Sequence, residues 1–285
     1  MGDRTAEVPE LPEVETIVRQ LRPEVVGRRI TAAEVSWPRS VARPSARVFC
    51  RGLTGRRIEA LWRRAKYFVF DLDDGRHLVG HLRMSGRLFV GEDPSPPYTR
   101  ASFALDDGRH LAFTDVRKFG RLALVDSVEA YLPQIGPEPL GEEMTGAWLR
   151  DGLRARRRQL KPLLLDQSFV AGLGNIYVDE ALHRSGLHPL RRSDRVSRAQ
   201  AAALHAAIQS VLTTAIEQEG SSFDTFYRTP EGQPGAYQEE FQVYSRHGKP
   251  CRTCGTTITR IVVGQRGTHF CRRCQPVPRP RRRQP

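Results

Sequence analysis

The sequence contains no apolar run of the roughly 18 residues that a membrane-spanning helix needs. Its first residues carry one arginine and no apolar segment, which argues against a secretory signal. Five cysteines among 285 residues do not indicate a disulfide-rich scaffold, and no internal repeat is present. These absences exclude an integral membrane protein and a repeat protein. They leave one large globular domain or two smaller ones.

The charge of the chain is strongly basic. Lysine and arginine total 45 against 32 aspartates and glutamates, so the formal net charge is +13 and the pI is about 10.2. A protein with this balance attracts polyanions, and nucleic acid is the first partner to consider. Apolar residues make up 39%, which is enough for a packed core.

The N-terminal part has the pattern of one helix followed by many short strands. Pro12 suits the first turn of a helix. Apolar residues then recur at helical spacing, at Val14, Ile17, Val18 and Leu21. Asp-Gly pairs separate apolar runs in segments 66–82 and 103–113, which indicates β-hairpins. We therefore predict an α+β protein whose N-terminal domain is an antiparallel β-sandwich with flanking helices.

The C-terminal part changes in composition. Segment 133–146 is rich in proline and glycine and is typical of a linker. Three helices are predicted after it, at Trp148–Arg158, at Asn175–Ser185 and from a capping box formed by Ser197 and Gln200. The end of the chain, 276–285, has four arginines and no core residues, and we expect it to be disordered.

Four cysteines form two Cys-x-x-Cys pairs. The first pair is Cys251 and Cys254, and the second is Cys271 and Cys274. Sixteen residues lie between the two pairs, a spacing typical of a tetrahedral zinc site. Two disulfides are the alternative, but without a secretory signal zinc is favoured. Since the protein fills all four positions, the metal would be structural. The fifth cysteine, Cys50, is predicted to be a buried structural thiol.

The segment between the two pairs is rich in β-forming residues. It predicts a hairpin over 256–270 whose tip carries Arg260, Gln265 and Arg266. Arginines at such a tip are suited to phosphate.

The segment Pro9-Glu-Leu-Pro-Glu-Val-Glu-Thr16 resembles the mature N-terminus of the formamidopyrimidine-DNA glycosylase family, bacterial enzymes that repair oxidised purines. The resemblance extends over about residues 9–275. Further matching motifs follow in order, at Arg64–Tyr67, His81–Gly86, Asp115–Gly120, Gly172–Tyr177 and Gln265–Arg266. The resemblance implies a β-sandwich domain, a helix–two-turn–helix domain and a β-hairpin zinc finger.

The predicted division of the chain combines these patterns with the resemblance. The segments are a leader at 1–8, a catalytic β-sandwich domain at 9–132, a linker at 133–146, a helix–two-turn–helix domain at 147–240, a zinc finger at 241–275 and a basic tail at 276–285.

The resemblance also implies the catalytic residues. Pro9 would be the nucleophile, Glu10 the general acid, and Lys66 and Arg266 would contact phosphates and assist elimination. Glu13 matches a second carboxylate near the site, although its place in the first helical turn also suits the helix dipole.

The DNA-binding residues follow from the same resemblance. Met84 would enter the base stack, Phe119 would wedge the opposite strand, and Arg117 would pair with the orphan cytosine. The alternative for Met84 and Phe119 is that they pack in the hydrophobic core. Asn175, at a helix start after two glycines, and Arg156, in a basic run, are expected to contact phosphate.

Pro9 raises a chemical difficulty. Its nitrogen can attack only as a free secondary amine, and eight residues precede it here. Either translation begins at Val8 through a GUG codon and removal of the initiator methionine frees Pro9, or residues 1–8 remain and block it. Because the later motifs are intact, we favour the first interpretation.

Three residues depart from the family pattern. Arg83 stands where glycine is common, Val116 where proline is common, and Lys118 where a second arginine is common. Histidines that often contact DNA are also missing near Tyr98 and Arg100, so no histidine role is carried over.

We conclude from the sequence that the chain is a bifunctional DNA glycosylase and AP lyase for oxidised purines. The expected partner is duplex DNA with the lesion opposite cytosine, the expected cofactor one structural zinc, and the expected state a cytoplasmic monomer. Two alternatives stay open. The sister class excises oxidised pyrimidines but usually has glycine where Leu11 stands, and a non-catalytic protein could bind damaged DNA with Pro9 blocked.

Overall fold

The computed structural model describes residues 8–132, 134–222 and 227–277. The chain divides into two compact units, Met1–Gln134 with Ala215–Gln238, and Ile135–Thr214 with Glu239–Pro285. Residues 215–238, assigned above to the helical domain, therefore cluster with the first unit. Most of the predicted leader and of the basic tail lies outside the described residues. No helix among the described residues is long and apolar enough to cross a membrane.

The first unit is built mainly from short strands. They are β1 (Ile30–Val35), β2 (Val41–Arg43), β3 (Ile58–Arg64), β4 (Tyr67–Leu72), β5 (His77–His81), β6 (Gly86–Gly91), β7 (Thr99–Leu105), β8 (His110–Asp115) and β9 (Arg121–Val125). They form two sheets, with strand orders β1-β7-β8-β6 and β2-β9-β5-β4-β3. One apolar cluster combines Phe68 and Phe70 of the second sheet with Phe103 and Phe113 of the first, so the sheets share a core.

The prediction of an antiparallel sandwich needs one correction. The strand pairs are antiparallel except β2 and β9, which are parallel, with Val41 opposite Leu122. A parallel pair needs a long connection rather than a hairpin, and about eighty residues separate these two strands in the sequence. The predicted Asp-Gly turns are present, and Gly75 and Gly108 have the positive φ values that favour glycine there.

The first helix is the one predicted from apolar spacing. Helices of the first unit are α1 (Leu11–Val25), α2 (Ala46–Leu53) and α3 (Val128–Tyr131). A capping box closes the start of α1, in which the side chains of Glu10 and Glu13 each accept the other residue's backbone N–H. The apolar stripe of α1, including Val14 and Leu21, is fully buried.

The second unit contains the remaining helices and the cysteine module. Its elements are α4 (Gly146–Arg156), α5 (Leu160–Leu164), α6 (Asn175–Arg184), α7 (Arg198–Glu217, whose last residues fall in the first unit), β10 (Thr259–Val263) and β11 (Arg266–Phe270). Helix α4 ends two residues earlier than predicted because Arg157 has a left-handed conformation, with φ of 45°. The capping box before α7 is confirmed, since Ser197 and Gln200 exchange backbone-to-side-chain hydrogen bonds at 3.1 and 3.2 Å.

The segment predicted as a linker is fixed in place rather than loosely connected. The Gly136 N–H donates to the Gln167 carbonyl at 2.8 Å, and the Ala171 N–H donates to the Pro137 carbonyl at 3.0 Å. A Cβ on Gly136 would lie 2.5 Å from the Phe169 carbonyl oxygen, so a side chain there is excluded. Residues 135–146 of this segment are therefore part of the second unit.

A buried ion pair joins the helices of the second unit to the cysteine module. The Lys161 Nζ donates to Asp179 Oδ1 at 2.7 Å and to the Gly267 carbonyl at 2.9 Å. Asp179 Oδ2 accepts the His269 backbone N–H at 2.8 Å. Lys161 is fully buried and Asp179 is 1% exposed, so each charge depends on the other for compensation.

Replacing Asp179 is expected to destabilise this unit strongly. Asp179→Ala leaves the Lys161 ammonium buried without its carboxylate, which costs about 3–5 kcal/mol of unfolding free energy. Asp194→Asn is the matched control, because the pair between Asp194 and Arg192 is at the surface, and we expect a change below about 1 kcal/mol. Urea unfolding measures both. Equal losses in the two variants would contradict this role for the buried pair.

Candidate active site and DNA-binding residues

Pro9 and Glu10 lie together immediately before α1. Both are buried, and Glu10 is 1% exposed. The Glu10 backbone N–H donates to Glu13 Oε2 at 2.8 Å. The capping box therefore fixes the position of the residue that follows the predicted nucleophile.

Glu13 has a second set of partners that the sequence did not reveal. Its Oε1 accepts the Ser221 backbone N–H at 2.9 Å and lies 3.2 Å from the Ser221 hydroxyl. A Cβ on Gly220 would lie 2.9 Å from the Glu13 side chain, so only glycine fits. Glu13 thus ties the start of α1 to a segment about two hundred residues away. This contact adds to the helix-dipole explanation of its position.

Lys66 occupies the turn between β3 and β4. The predicted strand started at Lys66, whereas the structure starts it at Tyr67 because Ala65 has a left-handed conformation, with φ of 53°. The Lys66 side chain is half-buried. Next to it along the chain, the Tyr67 ring meets the His81 ring edge-on at 4.6 Å.

His81 is a buried neutral imidazole near Lys66. Burial, together with the nearby positive charges of Arg83 and Lys66, lowers the pKa of His81 to about 3. Its Nδ1 accepts the Arg83 backbone N–H at 2.9 Å, so the proton is on Nε2. His81 therefore supports the turn before Met84 as a hydrogen-bond acceptor and not as a cation.

Acid is expected to destabilise the fold through His81. Between pH 6.5 and about 3 the unfolded chain binds a proton at His81 that the folded chain does not. Stability therefore falls as the pH is lowered through that window, by up to about 1.4 kcal/mol per pH unit. In His81→Gln, urea unfolding should show a smaller loss of stability on acidification. Exposed His247 supplies the control variant, His247→Gln. An unchanged pH dependence in His81→Gln would contradict the assignment.

The three predicted wedge residues lie on two neighbouring loops of the first unit. Met84 is half-buried in the loop between β5 and β6. Arg117 and Phe119 lie in the loop between β8 and β9, with the Arg117 guanidinium 5.1 Å from the centre of the Phe119 ring. Phe119 is 46% exposed, so the alternative that it is a core residue is wrong.

Two of the wedge residues, Met84 and Phe119, line the same groove. A groove of about 350 Å³ is lined by Val8, Arg83, Met84, Phe119 and Arg121. Val8 precedes Pro9 in the chain, so the groove that Met84 and Phe119 line extends to the residue before the predicted nucleophile. That arrangement suits a site in which a nucleotide leaves the base stack beside a nucleophile.

The departures from the family pattern have a backbone explanation at two positions. Arg83 has φ of 55° and Lys118 has φ of 62°, both in the left-handed region. This conformation explains why glycine is common at the position of Arg83. Lys118 places its ammonium 4.3 Å from the centre of the Trp37 ring, a cation–π contact.

The second unit presents the predicted phosphate-binding residues. Asn175 is the first residue of α6 and is 7% exposed, whereas Gly174 is the residue that caps this helix. The Gln167 side chain accepts the Gly172 N–H at 2.9 Å and donates to the Leu173 carbonyl at 2.8 Å. Gln167, which the sequence analysis missed, therefore shapes the turn before α6.

Two predicted arginines of the second unit are exposed. Arg156 lies over the Phe169 ring, 4.7 Å from its centre. Arg266 begins β11, directly after a turn in which Gly264 and Gln265 both have positive φ. The hairpin is thus confirmed, but Arg260 is not at its tip, since it pairs with His269 further along the ladder.

The four module cysteines form a compact cluster. Their sulfurs lie within 4.8 Å of one another. The separations are 3.4 Å for Cys254 and Cys271 and 3.9 Å for Cys251 and Cys274. A disulfide would need about 2.05 Å, and all five cysteines of the chain are free, so the disulfide alternative is wrong.

The donor set of this cluster fits zinc. Four thiolates on a tetrahedral zinc ion lie roughly 3.8 Å apart, close to the observed separations. Hydrogen bonds from Thr256 lower the pKa of Cys254 to about 6, whereas burial raises the pKa of Cys271 and of Cys274. The His183 Nε2 lies 3.6 Å from the Cys251 sulfur, a contact that the spacing of cysteines did not predict. Cys50 is only half-buried, packs against the core of the first unit, and has its pKa raised by burial.

Comparison with protein families assigns a class to this architecture. The formamidopyrimidine-DNA glycosylase N-terminal domain matches residues 8–122 and the formamidopyrimidine-DNA glycosylase H2TH domain matches 135–227. The zinc finger found in FPG and IleRS matches 248–277. These matches define a DNA glycosylase with a β-sandwich, a helix–two-turn–helix domain and one structural zinc site.

Individual relatives narrow the class. The chain is 49% identical to formamidopyrimidine-DNA glycosylase of Chloroflexus aggregans, in a match that covers 94% of this chain and 98% of that protein. It is 45% identical to formamidopyrimidine-DNA glycosylase of Symbiobacterium thermophilum, in a match that covers 98% of this chain and 94% of that protein. It is 42% identical to the crystal structure of MutM (Fpg) from Thermus thermophilus, with a TM-score of 0.85 and 94% and 98% of the two chains covered. The chain belongs to the formamidopyrimidine-DNA glycosylase family, and it is a DNA glycosylase and AP lyase of base-excision repair that acts on oxidised purines.

Proposed function

We propose that the chain excises oxidised purines through a covalent intermediate at Pro9. The observation that carries this proposal is the groove that Val8, Met84 and Phe119 line together. Lactococcus lactis Fpg, 38% identical to this chain, has been solved with DNA containing an abasic site, and a mutant of it with DNA containing Fapy-dG. We infer that the groove receives the same kind of substrate here.

The first chemical step uses Pro9 and Glu10. A free Pro9 amine attacks C1′ of the damaged nucleoside, and the electrons of the glycosidic bond leave with the base. Glu10 donates a proton to the deoxyribose ring oxygen as the ring opens, which leaves an iminium between Pro9 and C1′. Glu10 is buried and follows Pro9 directly in the chain, so its carboxyl group lies close to the nucleophile that it would assist.

Strand cleavage follows from the iminium. Loss of a C2′ proton expels the 3′ phosphate, and a second elimination expels the 5′ phosphate, which leaves a one-nucleotide gap. We assign Lys66 and Arg266 to these phosphates, because their cationic groups stabilise the charge that develops on each leaving group. The two eliminations are the AP lyase part of the reaction.

The extruded nucleotide leaves a gap in the duplex. Met84 fills it, Phe119 wedges the opposite strand, and Arg117 donates hydrogen bonds to the orphan cytosine. The exposure of Phe119 and the cation–π contact of Arg117 with its ring suit a surface that enters DNA. Asn175 and Arg156 bind phosphates, and the net charge of +13 makes binding sensitive to salt.

The zinc site, formed by Cys251, Cys254, Cys271 and Cys274, is structural. Its four protein ligands leave no position for substrate, so the ion holds the hairpin that carries Arg266. We further propose that the chain acts as a monomer in the cytoplasm, on the nucleoid, with a preference for lesions opposite cytosine.

An assay with two lesions tests the substrate. A chain beginning at Pro9 should release 8-oxoguanine opposite cytosine at least about tenfold faster than 5-hydroxycytosine under single-turnover conditions, a difference of about 1.4 kcal/mol in the barrier. An undamaged duplex is the control. Faster release of 5-hydroxycytosine would instead place the activity with the pyrimidine-specific sister class.

A further inference from the structure

One buried carboxylate joins the two loops that carry the wedge residues. Asp115, at the end of β8, is 1% exposed. Its Oδ1 accepts the Ser85 hydroxyl at 2.5 Å and the Arg117 backbone N–H at 3.1 Å. Its Oδ2 accepts the Gly120 backbone N–H at 2.6 Å. The carboxylate therefore spans the base of the loop at 116–120 and reaches across to the other loop.

Ser85 completes this connection. It is 3% exposed and follows Met84 directly. Its hydroxyl donates to Asp115 and accepts the Arg117 backbone N–H at 3.1 Å. The Ser85 hydroxyl, the Asp115 carboxylate and the Arg117 backbone N–H thus form one set of hydrogen bonds that connects the two loops. Because the bonded atoms are buried or half-buried, water competes little for these hydrogen bonds, and the connection is a firm one.

Both loops contain backbone that requires such support. Arg83 and Lys118 have left-handed conformations at non-glycine residues, which persist only when surrounding contacts hold them. At the other end of the second loop, a Cβ on Gly120 would lie 2.5 Å from the Phe113 ring. The loops are therefore closely fitted, and the Asp115–Ser85 contact is the side-chain link between them.

We propose that Asp115 and Ser85 are positioning residues that make the two wedge loops act as one unit. They hold Met84 on one loop and Arg117 and Phe119 on the other in a single arrangement, so that both strands are entered together. The inference rests on the proposed wedge function of those three residues. Loss of either positioning residue should impair filling of the gap left by the extruded nucleotide, and it should affect the chemistry at Pro9 only through that step.

The test measures insertion directly. A duplex carries 8-oxoguanine with 2-aminopurine as the neighbouring base, and stopped-flow fluorescence reports the entry of the wedge in a chain beginning at Pro9. Ser85→Ala removes the hydrogen bond to Asp115 and should slow insertion and base release about tenfold, as expected for the loss of one buried hydrogen bond. Ser85→Thr keeps the hydroxyl and should restore both rates. Asp115→Asn should act in the same direction as Ser85→Ala.

Two controls separate positioning from general loss of structure. Ser102→Ala removes another buried hydroxyl, on β7 of the same sheet, and should leave insertion unchanged. In a background with Met84→Ala, Arg117→Ala and Phe119→Ala, adding Ser85→Ala should have no further effect on base release, because the residues that it positions are absent. A purely structural role would slow this background as well and would overturn the inference.

The remaining outcomes are also decisive. If Met84→Ala slows insertion and Ser85→Ala does not, the wedge function stands and the positioning role is wrong. If neither variant changes insertion, the wedge function itself fails, and the positioning role fails with it.

Discussion

A chain whose first residue is Pro9 is expected to be trapped covalently on an 8-oxoguanine:cytosine duplex by borohydride, and a chain that retains residues 1–8 is not. The physical reason is the nitrogen of Pro9. As a terminal secondary amine it has a lone pair that forms an iminium, which borohydride reduces to a stable bond. In an amide with Val8 the lone pair is delocalised into the carbonyl and cannot attack.

The measurement needs two controls. Mass spectrometry of the intact proteins must show that residues 1–8 are present in one and absent from the other. Peptide mapping of the adduct must then place the deoxyribose on Pro9. An adduct on a lysine, or an equal adduct in the chain that keeps residues 1–8, would show that another amine is the nucleophile. No adduct with either chain would leave a DNA-binding protein without lyase chemistry.

The parts of the fold that the sequence predicted are those set by neighbouring residues. The apolar spacing of α1, the Asp-Gly turns at Gly75 and Gly108, and the capping box before α7 each depend on residues a few positions apart. The zinc ligands were found for the same reason. Two Cys-x-x-Cys pairs each supply two ligands from one turn, so their spacing alone indicates the chemistry.

The parts that the sequence did not predict depend on long-range contacts. The parallel pairing of β2 with β9, the hydrogen bonds of Glu13 to Ser221 and the contact of His183 with Cys251 join residues 68 or more positions apart. No local pattern encodes such a contact. The site residues were predicted largely from the resemblance to a family, because a buried glutamate before a helix is otherwise an ordinary cap.

The early end of α4 shows a different limit. Arg154, Arg156, Arg157 and Arg158 have the same charge and similar helix propensity, so nothing in this run of arginines marks the last helical residue. The left-handed conformation of Arg157 ends the helix, and contacts further along stabilise the turn. The Arg158 N–H donates to the Ser193 hydroxyl at 3.1 Å, and its guanidinium pairs with Asp166 at 2.6 Å.

Glu10→Gln is expected to abolish most base release while leaving the fold intact. The amide oxygen can still accept the backbone N–H of Glu13. The other hydrogen bond of the capping box runs from the backbone N–H of residue 10 to Glu13 and does not involve the replaced side chain. Both hydrogen bonds at the start of α1 are therefore retained. The amide cannot donate a proton as an acid does. General acid catalysis contributes about 10²- to 10⁴-fold, so single-turnover release of 8-oxoguanine should fall by at least about 100-fold.

Glu15→Gln is the control that makes this result specific. Glu15 lies on the same helix but pairs with Arg63 and Arg19, both at 2.8 Å, and has no proposed role with substrate. Its replacement should change the rate of base release less than about twofold, although it breaks the largely buried pair with Arg63. Thermal unfolding of both variants checks that the helix is intact. If Glu10→Gln releases base at the original rate, or if Glu15→Gln slows release as much, proton donation belongs to another group. In that event burial of Glu10 would reflect only its place as a helix cap.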